Sequence, residues 1–426
     1  MNISRVLAYT IVVLGMLNLF HLAIYMISSD IYELNEIFRR RKAKQQNPYQ
    51  PFITVIIPAY NEELCIERTM HSVLANDYKN MQLVVVNDGS ADKTLELSCK
   101  VAIESRNRHV VKVVTQDNQG KASAINNALH NHLKGSLVMV LDADSILRPD
   151  AISKMVSHFA NPEVVAAAAN VKVIDNYKLL NIAQRLEYVI SHRMKRALTT
   201  LNMEYIIGGV GSTFRRNIVK AVEYYDTDTM TEDIDFTMKI INRQGNKHNR
   251  VIFAADVITY TEGVMTFGAL VKQRFRWKYG RMQTFVKNRS IFFSRDEKHT
   301  KQLAWLNLPY ILFSELMLLF EPIFTGFVIY TSIRYAGVAG FAATYVFVSG
   351  FSLVNIIAES TESIKNKITL VSYIPLAYPL LMLMSLVDFF ALLKSLRRFP
   401  DILRGRNQVS HWTSPERSGI ATEVSL

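Results

Sequence analysis

Cysteine is nearly absent from this chain. Only Cys65 and Cys99 occur among 426 residues, and no Cys-x-x-Cys or His/Cys cluster accompanies them. That excludes a disulfide framework, gives no sign of a structural zinc, and fits a reduced compartment. Internal repeats and low-complexity segments are missing too, which removes repeat architectures. Acidic residues are in deficit, 37 against 49 Lys and Arg, for a net charge of +12. Such a balance could suggest nucleic acid, yet the basic residues gather beside apolar runs and between Gln273 and Arg281, where lipid headgroups and diphosphates are sufficient partners.

Apolar residues are plentiful. At 49% hydrophobic with a positive mean hydropathy, a chain long enough for two or three domains has part of itself in a membrane. Residues 6–29 carry no Lys, Arg, Asp or Glu, enough helix to cross a hydrocarbon core of roughly 30 Å. The run exceeds a signal-peptide core and no small-residue cleavage site follows, so it reads as an uncleaved anchor over residues 1–30. The Arg39, Arg40, Arg41, Lys42 and Lys44 cluster, in a basic linker at 31–51, belongs on the cytoplasmic side and brings the next domain with it.

From 52 to 265 short apolar runs alternate with amphipathic ones: strands at 53–58, 82–87, 110–115 and 136–141, helices at 63–74, 92–106 and 121–132. Strands separated by helices predict an α/β domain with a doubly wound, mainly parallel sheet, binding ligands beyond the carboxyl ends of its strands. Three polar groups stand at those ends: Ala59-Tyr60-Asn61-Glu62, Asn87-Asp88-Gly89-Ser90 and Asp142-Ala143-Asp144. Interfacial helices are expected over 266–302, transmembrane or interface helices over 303–395, and a polar basic tail over 396–426. If 303–333, 335–358 and 368–393 each cross once, Lys394, Arg397, Arg398, Arg404 and Arg406 lie outside, against the positive-inside bias. The expectation is a cytoplasmic tail, with 303–333, which contains Glu315 and Glu321, not making a simple crossing.

The chemistry starts from paired carboxylates. Asp142 and Asp144 at a strand end suit a hard cation on a diphosphate, or a division of work between ion and ribose, although an Asp-x-Asp also occurs in many surface loops. Asp88 can accept from a uracil imide or make an Asx turn. Lys121 opens a helix where a cation and free N–H groups suit a diphosphate, or it is an ordinary exposed lysine. Asp233 in Thr231-Glu232-Asp233 can take a proton from an acceptor hydroxyl, with Glu232 and Asp235 as substitutes, or the group caps a helix. Trp277 can stack on a sugar while Arg274 and Arg276 reach phosphate, or the segment is a basic helix on the membrane surface.

Val55-Ile56-Ile57-Pro58-Ala59-Tyr60-Asn61-Glu62-Glu63, Val86-Asn87-Asp88-Gly89-Ser90, Asn118-Gln119-Gly120-Lys121, Asp142-Ala143-Asp144, Gly208-Gly209-Val210-Gly211-Ser212, Thr231-Glu232-Asp233 and Gln273-Arg274-Phe275-Arg276-Trp277 occur in that order. Together they resemble the processive membrane glycosyltransferases of family 2, which include cellulose, chitin and hyaluronan synthases, and most nearly the bacterial poly-β-1,6-N-acetylglucosamine synthases. Lys278-Tyr279-Gly280-Arg281 departs from the Ala-Gln-Gly expected after the Trp, a single N-terminal span stands where two are common, and no cyclic-dinucleotide-binding domain is attached. The resemblance implies a GT-A fold and an inverting transfer from a UDP-sugar with Mg²⁺ or Mn²⁺. By it Asp233 is the base and Asp144 the metal ligand. Ala59, Tyr60, Glu62, Asp88, Lys121, Asp142 and Arg276 hold the nucleotide sugar, and Gly211, Ser212, Glu232, Gln273 and Trp277 the acceptor. The implied partners are a UDP-sugar, probed first as UDP-N-acetylglucosamine, a growing polysaccharide and the lipid bilayer, with room for a small accessory membrane subunit and no nucleic acid. Distal helices would carry the polymer outward, with Glu315 and Glu321 candidates for lining that path. A non-processive enzyme that glycosylates a lipid, and a non-enzymatic scaffold or transporter, are the alternatives.

Overall fold

The structure, a computed structural model, describes residues 3–43, 49–105, 110–174 and 177–405. Lys44 and the polar tail from Arg406 onward lie outside the described residues. Helix α1 (Ile3–Ala43) runs unbroken from the segment read as anchor into the one read as linker. The α/β domain follows with β1 (Ile53–Ala59), α2 (Ile66–Leu74), β2 (Met81–Asp88), α3 (Thr94–Glu104), β3 (Val110–Gln116), α4 (Lys121–Asn131), β4 (Leu137–Val140), β5 (Ile146–Leu147), α5 (Ala151–His158) and β6 (Val164–Val173). Next come α6 (Leu179–Thr200), β7 (Ser212–Arg215), α7 (Arg216–Ala221), α8 (Glu232–Gln244), β8 (Arg250–Thr261) and α9 (Phe267–Lys287). The last elements are α10 (Leu308–Thr331), α11 (Val338–Ala358), α12 (Ile364–Ser372), α13 (Ile374–Arg397) and α14 (Phe399–Leu403).

Alternation along the strands builds two cores. On β1, Ile53, Val55 and Ile57 turn toward Met70 and Val73 of α2 and Ile152 and Met155 of α5. Ile56 turns the other way, toward Ala124 and Ala128 of α4 and Phe236 and Ile240 of α8. Each such aliphatic side chain removed from water contributes about 1.5–3 kcal/mol, and a one-residue slip would exchange the two faces.

The sheet order is β3-β2-β1-β4-β7-β6-β8-β5. Strands β1 to β4 are parallel, as the alternating pattern predicts. The second half is mixed, because β7 runs antiparallel to β4 and β6 while β6 and β8 are parallel to each other. This reversal builds the site. Ser212, which opens β7, pairs with Val140 at the end of β4, so Gly208–Gly211 arrives beside Asp142. The carboxyl ends of β1, β4, β6 and β8 then share one edge, from which α6 and α9 depart.

Among the described residues four helices are long and apolar enough to cross a membrane: Tyr9–Arg41, Gln302–Arg334, Ala339–Ala358 and Ile374–Arg397. They differ in what they touch. The second half of α1 lies on the domain, with Tyr25 and Tyr32 buried and the Tyr32 hydroxyl donating to the Phe253 carbonyl at 2.9 Å. Helix α10 leaves from Asn307, whose amide donates to the Met203 carbonyl at 2.9 Å, and then exposes Leu316, Phe320 and Ile323. Helix α11 returns to Glu359, buried against Arg196 and Lys172 of the domain. Helix α13 buries Ala377, Leu380, Met384 and Val387 against Ile182 and Leu186 of α6 and Leu270 of α9. Its Ala391 packs on Phe275 and Tyr279.

Candidate active site

The site begins with a pinned loop. Asp88, fully buried at the end of β2, accepts from the Gln119 amide at 3.0 Å and the Gln116 side chain at 2.8 Å, and its second oxygen accepts from the Gly120 amide at 2.8 Å. That carboxylate fixes Asn118–Gly120 so that Lys121 opens α4 at the sheet's carboxyl edge. Lys121 Nζ then lies 2.8 Å from Asp142 Oδ1 and 2.7 Å from Glu232 Oε1. Gly209 permits this closeness, since a Cβ there would stand 2.8 Å from Lys121 Nζ and 3.3 Å from Asp142 Oδ1. Burial pulls the Lys121 ammonium toward neutrality, but Asp142, Glu232 and Asp233 outweigh it and hold the group charged, well above the ordinary lysine range.

Asp233 is the next residue of α8 and lines the same cavity, which has a volume of about 510 Å³. Its Oδ1 accepts from the Ile234 amide at 2.8 Å, and the Thr231 side chain makes no capping bond. Burial pushes the Asp233 carboxyl up and the Glu232 charge adds to that; the Lys121 ammonium opposes both, leaving it at about 6. A carboxylate tuned to that range can accept a proton near neutrality. Asp235 points elsewhere, bonded to Lys287 and Asn288.

Helix α9 forms another wall. Its N-cap Thr266 accepts from the Ala269 amide at 3.3 Å, and Gln273, Arg276 and Trp277 line the cavity. Arg274 is buried: its guanidinium donates to Glu187 at 2.8 Å, approaches Asp388 at 3.9 Å, and lies over the Trp277 ring at 4.8 Å. It supports the indole, whereas exposed Arg276 faces the cavity without that clamp.

The fold therefore brings Glu62, Lys121, Asp142, Asp144, Glu232, Asp233, Gln273, Arg276 and Trp277 into one cavity. Ala59, Tyr60, Asp88, Gly211 and Ser212 are not among its walls. Ala59 is buried at the end of β1 and Tyr60 is half-buried beside it. Gly211, at φ +69°, is packed so that a Cβ would lie 3.0 Å from that of Ala169, and Ser212 is 1% exposed within β7. Gly208, Gly209 and Val210 form the wall instead. Sequence reading missed Glu187, Tyr188, Lys278, Arg281 and Asp388, which also line it. The spacing of 274, 278 and 281 on one helical face was the available signal for two of them, and an acid inside an apolar run the signal for Asp388.

Asp144 is 6% exposed, and its Oδ1 accepts from the Ser145 hydroxyl at 3.0 Å. With Asp142 it presents hard oxygen donors, the chemistry that Mg²⁺ and Mn²⁺ take. Elsewhere Asp226, Asp228 and Asp235 come close enough to share an ion, but Lys287 Nζ stands among them at 2.6, 2.7 and 2.9 Å.

Comparison with known proteins agrees with this geometry. The model of the glycosyltransferase-like family 2 matches residues 50–280, more than half of the chain. Poly-beta-1,6-N-acetyl-D-glucosamine synthase of Staphylococcus aureus (strain COL) is 33% identical over 244 residues, covering 57% of this chain and 57% of that protein. The chain thus spans little more than half the length of that relative. The Staphylococcus epidermidis protein of the same name is 27% identical over 420 residues, 94% of this chain and 96% of that one. Among solved structures, a mannosyltransferase from Pyrobaculum calidifontis in complex with GDP-mannose and Mn²⁺ superposes with a TM-score of 0.53 at 22% identity, over 89% of this chain and 98% of that one. The shared architecture is the GT-A glycosyltransferase fold.

Proposed function

The chain belongs to the glycosyltransferase-like family 2, and from that premise we propose that it is a membrane-embedded inverting glycosyltransferase that polymerises UDP-N-acetylglucosamine into a β-linked polysaccharide and passes it through the membrane. The observation that carries this reading is the convergence of Lys121, Asp142, Asp144, Asp233 and Trp277 on one cavity. The name of the staphylococcal relatives supports the choice of sugar.

In this reading Asp233 removes the proton from the acceptor hydroxyl as that oxygen attacks the anomeric carbon and the nucleoside diphosphate departs. Lys121 and Arg276 meet the diphosphate, and Trp277 offers its face to the acceptor sugar. Asp144 would hold the divalent cation, with Asp142 beside it; when bound, that ion neutralises charge developing on the diphosphate. Initial-rate measurements of UDP release in lipid, with the product sized by gel, test the whole reading.

The orientation we favour places the domain in the cytoplasm with α1 and a single α10–α11 hairpin crossing the membrane. Two contacts and one exposed turn support it. Asn307 starts α10 on the domain, Glu359 ends α11 on the domain, and Gly337 between the two helices is exposed. Helix α13 packs along α6 and α9, whose many charged residues suit no bilayer core, and also against α10 and α11, so we read it as lying where the domain meets the membrane. The sequence expectation made 303–333 the segment that does not simply cross; the packing favours α13 in that role. Two distal crossings leave α14 on the cytoplasmic side, as the positive-inside bias requires.

A further inference from the structure

Glu232 has an occupation that base catalysis does not explain. It is the first residue of α8, yet its carboxylate turns to Lys121 of α4, 2.7 Å away, while Asp142 grips the same nitrogen from the end of β4 at 2.8 Å. Gly209 leaves no room for a side chain over that nitrogen. One ammonium is thus shared between two carboxylates at the cavity wall, next in sequence to Asp233.

We propose that Glu232 is a positioning residue: it parks Lys121 until the donor's diphosphate draws that lysine away, and the freed Glu232 carboxylate then strengthens Asp233 as a base. The inference rests on reading the cavity as a UDP-sugar site with Asp233 as base. A diphosphate carries more charge than either carboxylate, and a lysine on a four-carbon stem is a mobile point charge that can change partner. Once Lys121 leaves, Glu232 is an unneutralised anion beside Asp233, and a like charge raises a carboxylate's proton affinity.

The groups acting on Asp233 fit this coupling. Glu232 acts from its own helix, Lys121 from α4 and Asp142 from the end of β4, while the Ile234 amide donates at 2.8 Å. Tyr225, buried in the loop before α8, is held neutral by burial and by these same carboxylates. Glu62, Asp144 and Arg276 line the same cavity. The consequence is that the acceptor's proton is taken best beside a loaded donor.

Glu232→Gln and Glu232→Asp in the full chain, reconstituted in lipid, separate the two parts. UDP affinity with Mn²⁺ is measured by calorimetry, which also reports that each variant is folded, and UDP release is then followed against donor concentration and pH. Gln removes both the grip on Lys121 and the charge. It should bind UDP severalfold more tightly, lower the turnover number about tenfold, and move the acid limb of the rate profile to lower pH. Asp keeps the charge but is one methylene short of Lys121. It should share the tighter UDP binding and keep the wild-type acid limb. UDP binding unchanged in both variants, or an acid limb that moves equally in both, would overturn this inference alone. A wild-type protein that binds no UDP would overturn the reading of the cavity as well.

Discussion

The Arg274 guanidinium lies 4.8 Å over the Trp277 ring and is held there by Glu187 and Asp388, residues of two other helices. The indole therefore owes its position to a buried ion-paired arginine. Cation–π contact contributes about 0.5–2 kcal/mol, and a misplaced acceptor platform loses orientation in addition. Arg274→Lys, which keeps the charge but not the plane, should lower elongation roughly tenfold with little change in donor KM. Trp277→Ala should do the same or worse, and Trp277→Phe less. A donor KM that rises while elongation persists would assign this pair to the nucleotide instead.

Asp233 supplies the pH dependence. Its carboxyl, raised to about 6 in the free protein, must be ionised to act as a base, so kcat/KM, which reports the free enzyme, should rise with pH and reach half its plateau near 6. Below that, the proton blocks the base. Asp233→Asn should abolish turnover and leave UDP binding intact, measured by calorimetry on the same preparation.

Asp144 makes a separate statement. Chelation by EDTA should stop UDP release, and adding back Mg²⁺ or Mn²⁺ should restore it. Asp144→Ala should lose the metal-dependent part of UDP binding, with the melting temperature of the same preparation reporting that the variant is folded.

A second acid controls stability. Asp256, 5% exposed, bonds His158 at 2.7 Å and ties Arg39 and Arg40 of α1 to the domain. Burial alone would raise its pKa, but His158 and the two arginines hold it far below the usual carboxylate range. A depressed carboxylate contributes stability that is present above its unfolded pKa near 3.8 and lost as pH falls through the lower folded value. Asp256→Ala should cost about 3–5 kcal/mol, read as a lower melting temperature in detergent at pH 7.

The proposed orientation has its own check. In a Cys99→Ser background, a cysteine at Ile333 should react with a membrane-impermeant maleimide from outside, and one at Leu403 only after the membrane is opened. Labelling of both from outside would show that α13 crosses.

Much of this was legible in the sequence, for identifiable reasons. Strands β1, β2 and β4 announce themselves because buried parallel strands read as apolar runs, and Asp88, Asp142 and Asp144 stand at the ends of β2 and β4. The mixed half was harder. The antiparallel β7 is four residues long, and Ala-rich β6 resembles a helix. The pairing of Lys121 with Glu232 joins distant segments, so no local pattern signals it. Gly211 and Ser212 sit in a motif whose first half lines the cavity while its second half packs the sheet, a division set by the positive φ at Gly211. Helix α13 has a composition that fits a span equally well, and the proposal that it lies in the interface rests on its packing along α6 and α9, which no local sequence pattern signals.

The most direct test of the central claim is UDP release by the purified full chain in lipid, with Mg²⁺ or Mn²⁺, across UDP-N-acetylglucosamine, UDP-glucose and UDP-glucuronate, with the product sized by gel. The account predicts release from UDP-N-acetylglucosamine with a long polysaccharide product, abolished by Asp233→Asn. Release accompanied only by a small glycolipid would contradict polymerisation, and no release from any donor would contradict the enzyme.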